Sequence, residues 1–151
     1  VTVTELIPVL QVAIGPVVLI SGIGLLILSM TNRFGRVIDR GRSLTRELTE
    51  MPTHDQVRIH EQLRILTRRA EYLRRAITAA SISVLLAAVL IITLFITAAL
   101  RLEDAWLIGI LFIVAMGFLI VSLIAFLQDL NESLLAFKLD IGMNPKDKFM
   151  K

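Results

Sequence analysis

Three uncharged apolar runs constrain this chain more than any other feature. Leu6 to Met30 is 25 residues without a charge, Ala76 to Leu100 is another 25, and Ala105 to Leu127 is 23. The hydrocarbon core of a bilayer, about 30 Å thick, is crossed by about 20 helical residues, so each run is long enough to span with some tilt. Backbone N–H and C=O groups find no water in hydrocarbon, which makes all three runs helical. Buried helices of a soluble bundle would be shorter and would keep a polar face, and these runs have neither property. The first run is read as a retained span, not a signal peptide: only Val1 to Glu5 precede it, without a base, and it is about twice as long as a signal peptide's apolar region.

Composition agrees. Hydrophobic residues make up 56% and charged residues 19%, below the roughly 25% charged of an ordinary soluble domain. The mean hydropathy of +0.77 excludes a disordered chain and an ordinary soluble enzyme, and the absence of cysteine excludes a disulfide scaffold. The net charge of +3 raises the question of nucleic acid, which the placement of the charges answers. Thr31 to Arg75 holds eleven arginines against six acids, a local +5, while the rest of the chain sums to −2. Arg101 is the single base between the second and third runs, and the tail after Leu127 carries Lys138, Lys146, Lys148 and Lys151. The positive-inside rule then predicts an N-out, C-in topology with the arginine-rich connection in the cytoplasm. Nucleic acid is not expected as a partner, because the bases alternate with glutamates and no aromatic platform accompanies them.

The connection, 31–75, has a helical pattern of its own. Phe34, Val37, Gly41, Leu44, Leu48 and Met51 recur at steps of 3 and 4, and Ile59, Leu63, Leu66, Ala70, Leu73 and Ile77 repeat the pattern. Each set is an a/d seam, with charges at most remaining positions. Pro52 ends the first helix, and Thr53 with Gln56 has capping-box spacing. The expected product is an antiparallel helical hairpin whose arms continue into the first and second spans. Gly41 and Ala70 at seam positions allow close approach there. After the third span, Leu127, Leu130, Leu134, Phe137 and Ile141 step likewise beside Asp129, Glu132, Lys138 and Asp140. This predicts that the third span continues as an amphipathic helix over 128–142, docking on the hairpin or lying on the lipid surface and ended by Gly142 and Pro145, with a tail over 143–151. Asp129 and Glu132 fall near the level of Arg33, Arg36, Arg74 and Arg75, where exposed ion pairs would contribute about 0–1 kcal/mol each.

No catalytic motif, metal cluster or cofactor-binding motif is evident. His54 and His60 stand six apart, off a common helical face, and read as solvated histidines. Thr45 and Thr67 read as surface hydroxyls. Two other patterns carry function hypotheses. On the first span, Gln11, Gly15, Val18, Gly22, Leu25, Ser29 and Asn32 step by 4 and 3, a small or polar face through the membrane. Such a face is a helix-packing surface in the ordinary case. In a ring of subunits it would line a narrow pore, with Val18 and Leu25 as constrictions. Pro16 should bend the helix there. On the second span, Ala76, Ala79, Ala80, Ser83 and Ala87 form a small-residue ridge for packing against the first span or a neighbour. The other pattern is the arginines flanking the spans: Arg33, Arg36, Arg40 and Arg42 after the first, and Arg68, Arg69, Arg74 and Arg75 before the second. They set topology, and they are candidate contacts for anionic lipid headgroups, worth about 1 kcal/mol per charge near the surface. Glu103 and Asp104, in the loop before the interfacial Trp106, read as a solvated turn or as an acidic ring in an oligomer.

The segments Glu5-Leu-Ile-Pro-Val-Leu-Gln-Val-Ala-Ile-Gly-Pro16 and Thr31-Asn-Arg-Phe-Gly-Arg-Val-Ile-Asp-Arg40, followed by an arginine-rich connection and two closely joined spans, resemble a bacterial family of small three-span membrane proteins of unknown function. The resemblance covers about Leu6 to Gly142, and Asn32-Arg33-Phe34-Gly35-Arg36 is its most specific piece. It implies a bacterial inner membrane and no catalytic residues. The fold expected is an all-α membrane protein with spans at 6–30, 76–100 and 105–127. The function expected is non-enzymatic: a homo-oligomer, or a subunit of a larger membrane assembly. An ion channel lined by the first span and an anionic-lipid scaffold are the alternatives.

Overall fold

The computed structural model describes three α-helices: α1 Val3–Glu50, α2 Gln56–Leu100 and α3 Ala105–Asp140. Every described residue is helical. Each helix contains a stretch long and apolar enough to cross a membrane, the third extending over Trp106–Leu134. At 1.5 Å per residue the 48 residues of α1 measure about 72 Å, more than twice a hydrocarbon core. The apolar and charged halves of α1 are therefore one continuous helix, which runs through Pro8 and Pro16 without interruption. The same holds for α3, where the predicted third span and amphipathic helix merge. The expected turn at Met51 to Asp55, the loop with Glu103 and Asp104, and the tail from Ile141 onward, Gly142 and Pro145 included, lie outside the described residues.

The chain divides into two compact units. The first takes Val1–Ser29 and Ile77–Leu123. Its core is built on Ile23, Ala80 and Leu119, flanked by Leu19, Leu26, Ile27, Val84 and Met116. Small side chains dominate the buried positions: Ala13, Ala79, Ala80, Ser83, Ala87, Ala115 and Ser122. Among lipid tails apolar burial gives helices no driving force to associate, so close van der Waals approach across small residues takes its place. The ridge read from the sequence is this surface. Ser83 also donates its hydroxyl to the Ala115 carbonyl across the helices at 2.8 Å. Other hydroxyls turn back onto their own helix: Ser21 to Val17, Ser81 to Ile77, Thr93 to Val89 and Thr97 to Thr93. Satisfied in this way, they sit on an apolar helix at little cost.

The second unit takes Met30–Ala76 and Ile124–Lys151. Here most of the buried aliphatic residues are large: Met30, Val37 and Leu44 from α1 and Ile59 and Leu73 from α2, with Ala76 and Ala125 the small ones. Phe34, Leu48, Leu63 and Leu66 of the predicted seams are half-buried beside them. Gly41 departs from expectation. Together with Ala70 it lines an open cleft of about 590 Å³ between Val37–Thr49 and Leu63–Ala70, and a Cβ built on Gly41 would meet nothing within 4 Å. Two small residues at facing seam positions leave a gap here because neighbouring Val37 and Leu44 hold the helices at large-residue spacing. On the stripe assigned to α3, Leu130 is half-buried. Leu127 and Leu134 are exposed, while Ala125 and Asp129 face inward; the side chains of Phe137 and Ile141 lie outside the described set.

Candidate functional site

Along α3 the buried positions are Ala115, Leu119, Ser122, Ala125 and Asp129, at steps of 4, 3, 3 and 4. Helical periodicity thus carries a carboxylate to the next inward position, where its solvent exposure is 0%. A buried carboxylate persists only when paired and hydrogen-bonded. Asp129 is both. Arg33 of α1 donates from Nε and Nη2 to Oδ2 at 3.2 and 3.0 Å, and Arg69 of α2 donates from Nε to Oδ1 at 3.2 Å. The Arg33 guanidinium also lies over the Phe126 ring, 5.5 Å from its centroid, a cation–π distance. One carboxylate thereby ties all three helices of the second unit. Both arginines occupy core-facing positions: Arg33 lies three and four residues from buried Met30 and Val37, and Arg69 lies three and four from Leu66 and buried Leu73. The sequence places Asp129 level with Arg33, Arg36, Arg74 and Arg75 as candidates for exposed pairs; of these Arg33 is a partner, while Arg69 as the second partner and the full burial are not legible there.

The two clasp arginines also form one wall of a cleft. Arg33, Arg36, Arg40 and Arg69 line it with Val37, Leu66 and Ser133, enclosing about 260 Å³. Asp129 is bonded to two of these arginines, and among the described residues no carboxylate takes part in the lining. Among the described residues Arg36 and Arg40 have no carboxylate within ion-pair distance, and both are exposed. The other headgroup candidates are elsewhere. Arg42 is 4.0 Å from Asp39 on its own helix, Arg75 pairs with Glu71 on its own helix, and Arg68 and Arg74 are exposed. Glu132, expected near the arginines, lines a separate cleft with Tyr72, Gln128 and Asn131. His60 is exposed, its Nδ1 2.7 Å from the carbonyl oxygen of Gln56, to which it donates; His54 lies outside the described residues.

The small and polar face of α1 is a separate feature, within the first unit except for Asn32. Gln11, Gly15, Val18, Gly22, Leu25, Ser29 and Asn32 are all exposed. A Cβ added at Gly15 or Gly22 would meet nothing within 4 Å. The helix packs instead through Ala13, Ile23, Met30, Val37 and Leu44, with the last four at strict heptad spacing. So α1 carries two seams of period 3.5, one occupied by the chain's own helices and one uncovered. Gln11 has no hydrogen-bond partner among the described side chains, and only 11% of the most apolar stretch of α1 is buried.

A family model described as "Protein of unknown function (DUF2721)" matches residues 13–139. No curated protein and no solved structure matches the chain.

Proposed function

The chain belongs to the DUF2721 family, whose function is unknown, and from that premise we propose a non-enzymatic, multi-pass membrane protein that assembles with copies of itself. The observation that carries this reading is the uncovered seam of α1, with Gly15 and Gly22 open to close approach. A heptad-spaced face of small residues favours a second helix. Uncharged throughout, it is compatible with another copy of the same face. Gln11 adds polarity: an amide both donates and accepts, so two copies can satisfy each other in an apolar medium.

The arginine excess of 31–75 supports an orientation with this segment in the cytoplasm of a bacterial cell, as a helical hairpin closed by the Asp129 clasp. The channel alternative uses the same face of α1 with water in place of a neighbouring helix. The lack of an ionisable group along the stripe favours packing over conduction. Light scattering with detergent correction tests the reading. The protein in mild detergent is expected to be an oligomer, and Gly22→Leu is expected to shift it toward monomer. A monodisperse monomer of the unaltered protein contradicts self-association, and currents across reconstituted bilayers that Gly22→Leu alters would favour the channel.

A further inference from the structure

We propose that the cleft lined by Arg33, Arg36, Arg40, Arg69 and Ser133 is a binding site for a phosphate group, supplied by the headgroup of an anionic phospholipid or by a soluble phosphate. Three observations converge on it. The first is charge. Among the described residues four guanidiniums line the cleft with no carboxylate, and Asp129, bonded to two of them, neutralises a single charge. Of the described residues, four arginines less one aspartate leave +3 around a volume of about 260 Å³. That is below the size of a drug-sized pocket, and it suits a compact anion.

The second observation is pre-organisation. A guanidinium has five N–H donors in a fixed fork. Arg33 commits two of them to Asp129 and Arg69 commits one, leaving three and four for another acceptor. With one edge of each fork held, the side chains are 24% and 16% exposed, so much of the entropic cost of ordering them is met in the folded chain. Asp129 is here a positioning residue. Arg36 and Arg40 are the exposed contributors, without a carboxylate partner among the described residues. The Ser133 hydroxyl supplies a neutral donor. Planar guanidinium forks match phosphate oxygens in pairs, the arrangement in which arginine is favoured over lysine.

The third observation is position in the sequence. Arg33 follows Met30, the last residue of the first uncharged run, by three positions, and Ser133 follows Leu127, the last of the third, by six. Residues so close to the ends of spans lie at headgroup level when the spans are inserted. Topology alone asks only for positive charge on this side of the membrane. It does not ask that four arginines from two helices converge on one cleft.

The test uses the full chain in a neutral detergent, titrated separately with short-chain phosphatidylglycerol, short-chain phosphatidylcholine and inorganic phosphate, and read by calorimetry. Arg36→Gln with Arg40→Gln removes two cleft charges while leaving the Asp129 clasp intact. Arg64→Gln with Arg68→Gln removes two charges outside it. A thermal melt confirms that each variant is folded. Phosphatidylglycerol is expected to bind more tightly than phosphatidylcholine. The cleft variant is expected to lose roughly thirtyfold in affinity, from about 1 kcal/mol per charge, and the outer variant less than about threefold. Binding of inorganic phosphate with the same dependence on Arg36 and Arg40, and without preference among the lipids, would make the ligand a soluble phosphate and support the same site. Equal losses in the two variants would overturn the proposal, as would the absence of binding by both phosphatidylglycerol and phosphate. Binding is to a single protomer, so a failure of self-association leaves this result readable.

Discussion

At the scale of the residue, Asp129 decides most. Its carboxylate is fully buried and accepts from Arg33 and Arg69, whereas Glu71 meets Arg75 on an exposed helix surface. The two ion pairs look alike in a sequence and differ in consequence. Asp129→Asn leaves two largely buried guanidiniums without their counter-charge and is expected to destabilise the protein by about 2 kcal/mol or more. Glu71→Gln should cost less than about 0.5 kcal/mol. Denaturant unfolding of the two variants followed by tryptophan fluorescence or circular dichroism measures the difference; equal losses would show that the clasp is no stronger than a surface pair. The signal for Asp129 was present in the sequence, since it continues the 115–119–122–125 periodicity of α3. Its full burial is not legible, because Leu127, Leu130 and Leu134 form a more hydrophobic stripe on the same helix, of which Leu127 and Leu134 are exposed. Hydrophobicity alone therefore does not identify the packed face of a helix as apolar as this one.

At the scale of the element, periodicity was the dependable signal. Buried positions in α2 run Leu73, Ala76, Ala80, Ser83, Ala87 and Leu90, at steps of 3 and 4, through both charged and apolar sequence. One register thus serves both units, with mostly large aliphatic residues buried in the second and mostly small ones in the first. That change in size is legible in the sequence. What it leaves open is illustrated by Gly41: a small residue permits close approach only where its neighbours allow it, and beside Val37 and Leu44 it opens a cleft instead. Ala80, fully buried against Ile23 and Leu119, has no such space. Ala80→Leu is expected to cost about 1–3 kcal/mol through overpacking, while Leu85→Ala, at a position 65% exposed, should change stability little. Thermal unfolding in a single detergent compares them, and a tolerated Ala80→Leu would contradict the close packing of the first unit.

At the scale of the whole molecule, three helices cover few of their own faces. The uncharged runs and the charge asymmetry were sufficient to recognise three helices capable of crossing a membrane, and the family match over 13–139 agrees with the resemblance noted from the N-terminal segments. How the faces are shared between one chain and its neighbours was not legible, because both seams of α1 have the same spacing. Only their occupancy distinguishes them: Ile23 and Met30 are buried, while Gly22 and Leu25 are open. Because the chain contains no cysteine, a single introduced thiol reports on proximity without background. Oxidative cross-linking in native membranes is therefore the most direct measurement, with Gly22→Cys on the open seam of α1 and Phe112→Cys on the exposed surface of α3 as the comparison. Self-association through α1 predicts a disulfide-linked dimer from Gly22→Cys and little from Phe112→Cys. No dimer from Gly22→Cys, or equal yields at the two positions, would contradict it.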